Sequence, residues 1–598
     1  MKHYKTTAAA FVLAAAIASP FAASAQPSTT LARLDPDIVG EQTGPAGRIP
    51  DGTVSAAIET ALDPQGQAGA HDPERVLDEA LYAAYAMRVF DPIWTEDGAR
   101  QLITAYAHAP EEGLLLSTDV LRTLRLAARN LDASSAEDAA WADIRLSAAF
   151  IALADRRLNG IAARSVETRD TPLPLDQMLA RAGAGELDYE RLSVEHDAYG
   201  DLLKARQTYD GYIKSGGFTP VPEPDGLLEL GDASPIVQTL RTRLREEGYQ
   251  VDRAQAPAPT PDRHNDLPPL TQVSFITAPA QAAPVSEEVW RAESRTMTPE
   301  LVIALREFQA HNGLEVDGVL GPATAAALNV SAEEKLARID ANLERWRRAS
   351  PDLGEHYVEV NIPAYTARAV SHGDVELDMR AIVGLPDRQT PLMSEQIEYI
   401  VANPHWYVPE SILVRDKLNH IREDDSYLQE RGYKVIDRSS GQPLPAQTVD
   451  WTDDEIAEQV RLVQDPGENN ALGELKIMFP NAQSIYLHGT PSEHLFEPDQ
   501  RAFSSGCIRL EDPQAMAAWV VEAVSDQNAE ALIETAVASG ENRHIELETP
   551  LPVHVVYRTV EVEDDGGVVF HHDVYERDPA LIALMNASPL TVSNPEQI

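Results

Sequence analysis

Tyr486-Leu487-His488-Gly489-Thr490 and, after a short acidic loop, Arg501-Ala502-Phe503-Ser504-Ser505-Gly506-Cys507-Ile508-Arg509-Leu510 form the stretch on which the reading of this chain turns. Strand character is expected over Ser484–His488. His488 and Cys507 lie 19 residues apart, enough chain for two neighbouring elements to bring them together. A thiol needs a nearby base to become a thiolate, and imidazole is the usual one. Ser504-Ser505-Gly506 permits a tight turn whose backbone N–H groups can point at a developing oxyanion. Cys507 is the only cysteine in 598 residues.

The start of the chain bears on that cysteine. Lys2 and Lys5, the apolar run Phe11–Ala18 and Ala23-Ser24-Ala25 have the order of a signal peptide over 1–25. The run is too short to span a bilayer comfortably, and no later stretch offers about twenty unbroken apolar residues. With no cysteine near the cleavage point, lipid attachment there is excluded. The expectation is an exported, periplasmic protein with no integral membrane segment. In an oxidising compartment a lone cysteine is either a small buried hydrophobe or a reactive thiol, and composition leaves both open. The net charge of −46 repels phosphate backbones and argues against a nucleic-acid partner.

Residues 26–70 are rich in Pro, Gly, Ala and Asp and read as a flexible leader. Over 71–220 the period is helical: Val76, Leu77, Ala80, Leu81, Ala84 and Tyr85 first, then Leu121–Leu131, Trp141–Leu158 and Tyr199–Ile213. Lys214-Ser215-Gly216-Gly217 ends that run. A second unit covers 228–330. Ile236, Leu240 and Leu244 line one helix, Leu301, Leu305 and Phe308 a second, and a Pro-rich insertion of about 252–297 separates them. Phe308-Gln309 followed by Gly313-Leu314-Glu315-Val316-Asp317-Gly318-Val319-Leu320-Gly321-Pro322-Ala323-Thr324 is similar to the small three-helix peptidoglycan-binding domain of cell-wall enzymes.

From Tyr357 the period becomes two, with Val358, Val360 and Ile362 alternating with polar residues, then Ile382-Val383 and Ile397–Val401. Asp512-Pro513 should start a helix over Gln514–Val524. Val553–Phe570 alternates around Asp565-Gly566, a hairpin signal. His-Gly-Thr followed by Ser-x-Gly-Cys-Ile-Arg resembles the L,D-transpeptidase (YkuD-like) catalytic domain. Val360-Asn361-Ile362-Pro363-Ala364-Tyr365, Ile382-Val383-Gly384 and Asn403-Pro404-His405-Trp406-Tyr407-Val408-Pro409 resemble its large periplasmic subgroup. Leu81–Trp94 with Glu112-Gly113-Leu114 resembles that subgroup's helical scaffold.

The resemblance implies a multidomain α+β chain. A mainly β catalytic domain over 355–580 carries a lid of about 405–480, beside the α-helical scaffold and the three-helix domain. It implies that Cys507 attacks the carbonyl between the third and fourth residues of a donor stem peptide, releasing D-alanine and leaving a thioester. His488 is then the base, the Gly489 carbonyl orients it, and N–H groups of Gly506 and Cys507 form the oxyanion hole. Arg509, Tyr486 and Ser505 are candidates for substrate binding. Ser505 stands where the commoner form of the motif has histidine, so no second imidazole comes from there. The implied partners are peptidoglycan stem peptides and glycan, the product a 3-to-3 cross-link, and the setting cell-wall biosynthesis and cell shape. No protein partner is indicated.

Water as acceptor would make the same site an L,D-carboxypeptidase or endopeptidase, and a wall-binding protein without catalysis is the third alternative. No cofactor or metal is expected: His571-His572-Asp573 places neighbouring side chains on opposite faces of a strand, a poor chelate. His494 lies close to His488 in sequence but outside the motif.

Overall fold

A computed structural model describes residues 52–62, 81–161, 174–252, 294–350, 352–453 and 455–592. The expected signal peptide, most of the expected leader and most of the Pro-rich insertion lie outside these residues, as do Val76, Leu77 and Ala80. Within 26–70, Gly52–Ala61 is a helix rather than flexible chain. Val54, Ala57, Ile58 and Ala61 recur at helical spacing, and Ile58 is fully buried in the core of the helical region.

That core is built on Ala136–Asn159, a helix of 24 residues capped by the Ser135 hydroxyl. The buried Asp143 carboxylate accepts hydrogen bonds from the backbone N–H of Ile93 and Trp94 and from the Tyr85 hydroxyl (2.6 Å). An ion taken out of water is tolerated only with such donors around it. The Leu81–Trp94 segment is thereby pinned to the central helix.

The region around 228–330 has three described helices, Ile236–Glu246, Pro299–His311 and Pro322–Leu328. The Phe-Gln…Val-Asp-Gly pattern has a physical basis here. Gln309 is buried; its amide nitrogen donates to Asp317 Oδ1 (2.7 Å), and its oxygen accepts the Gly318 N–H (2.7 Å). Gly318 has φ +77°, a left-handed conformation that glycine adopts without a Cβ clash.

The helix Ala332–Arg347 falls between the two regions recognised in the sequence and was missed there, although Ser331-x-x-Glu334 is a complete capping box. It joins the parts. Asn342 exchanges two hydrogen bonds with Thr559, and Asp578 pairs with Arg345 at 2.5 Å. Lys335 is paired with Glu247, which also binds Arg243 at 2.8 Å and the Tyr209 hydroxyl at 2.8 Å, all well buried. Removing one partner would strand a buried charge at a cost of roughly 3–5 kcal/mol. Through Arg243 and Glu247 the region around 228–330 is tied to the rest of the described residues. Gly313, in the stretch that resembles the peptidoglycan-binding domain, lies against the backbone of Phe570 and His572.

From His356 the chain is strand-rich: β1 (His356–Asn361), β2 (Thr366–Ser371), β3 (Asp374–Gly384), β4 (Met393–Ala402), β5 (Trp406–Tyr407), β6 (Tyr433–Asp437), β7 (Pro443–Leu444), β8 (Val460–Gln464), β9 (Leu475–Met478), β10 (Leu487–His488), β11 (Ala502–Ser504), β12 (Ile508–Leu510), β13 (Arg543–Val556), β14 (Val560–Val562) and β15 (Val568–Phe570). Nine form one sheet in the order β11-β3-β12-β10-β9-β4-β13-β1-β2, and β2 pairs back onto β3, so the sheet closes on itself. Glu359 and Asn361 of β1 are buried as well as its apolar residues, because Glu359 meets Arg558 (2.6 Å) and Asn361 binds the Arg558 backbone. β14 and β15 form the expected hairpin. Asp512 caps the helix Pro513–Glu522, as its sequence predicts.

β5, β8, β6 and β7 form a separate four-stranded sheet with its own core of Trp406, Leu413, Leu418, Val435, Ile456 and Leu462. β9 already belongs to the closed sheet, so this insertion ends before the expected boundary of about 480. Ser484–Tyr486 is not strand. Asn481 folds the segment into a turn by accepting the N–H groups of Gln483 and Ile485, and Ser484 has φ +59°.

Candidate active site

β10 and β12 run parallel with Leu487 opposite Ile508 and His488 opposite Arg509. Leu487 and Ile508 face the core and are fully buried. Alternation therefore puts His488 and Arg509, and beside them Tyr486 and Cys507, on the other face. On the neighbouring strand β9, Lys476 pairs with His488 and joins that face. Five chemistry-bearing side chains are assembled by register alone.

His488 Nδ1 lies 2.5 Å from the carbonyl oxygen of Gly489. A carbonyl only accepts, so Nδ1 holds the hydrogen and Nε2 keeps its lone pair. Burial, then the Arg509 cation and, more weakly, Lys476 push the imidazole down to about 3, against the carbonyls of Gly489 and Leu472. The ring is neutral at pH 7.

The Cys507 thiol is raised above its usual range by burial, with Tyr486, Lys476 and Arg509 opposing. Its Sγ lies 3.9 Å from the Ser484 carbonyl, and no hydrogen bond joins it to His488 in this structure. The resting pair is thus thiol plus imidazole, not thiolate plus imidazolium. A prediction follows for iodoacetamide alkylation, which reads thiolate directly. With the thiol pKa raised, the rate should climb about tenfold per pH unit from pH 7 to beyond 9. A plateau between pH 5 and 8 would indicate a preformed ion pair.

The turn before Cys507 is tightly built. Ser504 Oγ donates to the Cys507 carbonyl (2.5 Å) and accepts the Gly506 N–H (3.0 Å). Thr390 Oγ1 donates to the Gly506 carbonyl (2.8 Å) and accepts the Gly384 N–H (2.9 Å). Gly506 has φ +115°, and a Cβ on Gly384 would lie 2.1 Å from the Arg388 carbonyl, so neither position accommodates a side chain. The Gly506 N–H, expected in the oxyanion hole, is bonded to Ser504 Oγ within the turn. The Cys507 N–H forms no hydrogen bond among the described residues and is the donor left open.

Tyr486 belongs both to this face and to the edge of the insertion's core. Its hydroxyl is held protonated by burial and then by the neighbouring Cys507, and the Lys476 ammonium sits 3.9 Å above its ring. Ser505 Oγ accepts from Arg388 Nη1 (3.0 Å). Arg509 is half-buried, with its Nε unpartnered. Lys476, Thr390 and Arg388 were not singled out in the sequence. Lys476 had one available signal, a lysine inside the apolar run Leu475–Phe479.

His494 is exposed on a short 3-10 turn and takes no part. His571 is engaged by Glu561 at 2.8 Å. Among the described residues one group has metal-ligand proximity, Glu355, His356 and His372, at the start of β1 and the β2–β3 turn. No metal ligands were expected there.

Residues 355–553 match the L,D-transpeptidase catalytic domain, 79–205 the scaffold domain and 293–328 the "Putative peptidoglycan binding domain". A Haemophilus influenzae protein named "Putative L,D-transpeptidase" is 32% identical over 241 residues, which are 40% of this chain and 48% of that one. The chain thus spans about half the length of this curated relative. Among solved structures, an L,D-transpeptidase from Mycobacterium smegmatis is 16% identical over 34% of this chain and 58% of its own (TM-score 0.15). One from Stackebrandtia nassauensis is 13% identical over 56% and 96% (TM-score 0.19). Superpositions that weak carry nothing about the site. Cys507 and His488 both fall within 355–553, the stretch of this chain that is similar to the L,D-transpeptidase catalytic domain.

Proposed function

We propose that this chain is an exported L,D-transpeptidase that forms 3-to-3 cross-links between peptidoglycan stem peptides, with Cys507 as nucleophile. The observation that supports it most is the His488 ring, held neutral with Nε2 unprotonated by the Gly489 carbonyl, on the same sheet face as the chain's only thiol. On this reading Cys507 Sγ attacks the carbonyl between stem residues three and four, and its proton passes to His488 Nε2. The Cys507 N–H binds the oxyanion. The C–N bond breaks, D-alanine leaves with the proton from His488, and a thioester remains. An acceptor amine then attacks the thioester, giving up a proton to His488 and restoring the thiol. Lys476 and Arg509 favour negative charge on sulfur as it develops.

The insertion with its own small sheet serves as a lid that keeps water from the thioester. Residues 71–220 act as scaffold, and 228–330 position the enzyme on the wall. The signal peptide directs the chain to the periplasm. Among the described residues no helix is long and apolar enough to cross a membrane.

The test is to incubate the purified chain with disaccharide-tetrapeptide and read products by mass spectrometry. Cross-linked dimer with free D-alanine is the expected result. Tripeptide alone would mean hydrolysis, and unchanged substrate would mean a wall-binding protein without catalysis.

A further inference from the structure

We infer that the cavity beside the Gly506 turn is a carboxylate-binding subsite for the donor peptide, with Arg415 as its anion-binding group. This rests on the acyl-transfer reading above and adds to it a specific recognition element. The cavity measures about 340 Å³, within the usual range for small-ligand sites, and its lining includes Arg388, Gln389, Ser411, Arg415, Gln483 and Gly506. Ser505 and Gly506, which line it, immediately precede Cys507 in the chain.

Three observations assign its chemistry. First, no acidic residue lines this cavity, although the chain as a whole carries a net charge of −46. Two guanidiniums facing one hollow on so acidic a protein make a local site for a negative group.

Second, the two arginines are differently committed. Arg388 Nη1 is bonded to Asp416 (2.7 Å) and Ser505 (3.0 Å), so its charge is balanced and it fixes the insertion against the turn before Cys507. Arg388 is a positioning residue. Arg415 has no hydrogen bond or ion pair among the described residues and is exposed to the cavity mouth. Its planar donor fork suits a carboxylate.

Third, Arg415 sits on Leu413–Lys417, a wide i→i+5 turn between Glu410–Ile412 and the helix Leu418–Glu423. Such turns are rare and frequent at functional sites. Leu413 and Leu418, on either side of Arg415, are buried in the insertion's core, so the backbone bearing Arg415 is anchored while its side chain is free.

The donor offers carboxylates at its C-terminus and on side chains. Binding of a tetrapeptide stem to full-length Cys507→Ala protein, which cannot turn over, is measured by calorimetry beside two analogues. One has its C-terminal carboxylate as carboxamide, the other its side-chain carboxylates. Arg415→Gln in that background should weaken binding of the unmodified peptide on the order of tenfold, the usual size of a charge-assisted contact near solvent. One analogue should bind the parent protein equally weakly and lose nothing further in the variant, which identifies the carboxylate. If Arg415→Gln changes all three peptides alike, or none by more than twofold, the subsite is overturned. Iodoacetamide alkylation of Arg415→Gln with Cys507 intact should match wild type and shows that the fold survives. Turnover by wild type is assayed separately. Carboxylate-dependent binding without any turnover overturns the acyl-transfer reading and leaves the subsite standing.

Discussion

Replacing Cys507 by serine should reduce cross-linking on the order of 10³-fold or more while the protein stays folded. A hydroxyl is far less acidic than a thiol, and the base beside it is weak: His488 is held at about pKa 3. Such an imidazole can relay a proton from a thiol during attack but has little capacity to activate an alcohol. The exchange is nearly isosteric and the side chain is only half-buried, so circular dichroism and the melting temperature should stay close to wild type. The family resemblance adds a second readout, because a β-lactam carbonyl mimics the scissile amide. Intact-protein mass spectrometry after excess carbapenem should show one adduct, mapping to Cys507, and none on Cys507→Ser. Product formation by the serine variant within tenfold of wild type would sink the proposed nucleophile.

His488→Ala should lower kcat by about 10²–10⁴-fold, the usual contribution of a positioned general base, with KM little changed. The pH dependence distinguishes this from a structural defect. The base must be unprotonated, and its pKa is depressed, so wild-type kcat/KM should hold down to about pH 4 and fall only as pH approaches 3. An ordinary histidine would lose activity below 6.5 instead. The variant should have no such acid limb. Acid stability should change in the same window. The folded-state pKa lies below the unfolded value of about 6.5, so wild type loses stability as pH falls from about 6.5 towards 3, because only the unfolded chain takes up the proton. His488→Ala removes that term. An acid limb near 6.5 in wild type would show that the imidazole is solvated and that the buried geometry is not the working one.

The division between what was legible and what was not follows the range of the interactions. The helices around Leu121–Leu131, Trp141–Leu158 and Leu301–Phe308, the Asp512 cap and the Asp565-Gly566 hairpin are local: period, caps and turn residues act within a few positions. The helix Ala332–Arg347 was equally local, with its capping box in view, and was passed over because it fell between two recognised regions. Tyr486–Thr490 and Ser504–Arg509 identified themselves because a thiol, an imidazole and a glycine turn occur at tight spacing.

The sequence by itself paired Cys507 with His488 as its candidate base, a thiol and an imidazole 19 residues apart, and the resemblance to the L,D-transpeptidase motif implied the Gly489 carbonyl as the group that orients the ring. Only the tertiary structure decided the electrostatics of that pair. Burial and the Arg509 and Lys476 cations, arriving on neighbouring strands, make imidazole and thiol both neutral at rest. Only the tertiary structure brought in Thr390, which is 116 residues from Gly506 and fixes the turn through that residue's carbonyl. It likewise turned the Gly506 N–H inward to Ser504 and set Arg415 free beside the turn while Arg388 was consumed by Asp416. Each of these depends on which strands pair and in what register. That is settled by burial of Leu487, Ile508 and their neighbours in a common core, an energy summed over the whole sheet rather than written in any one segment.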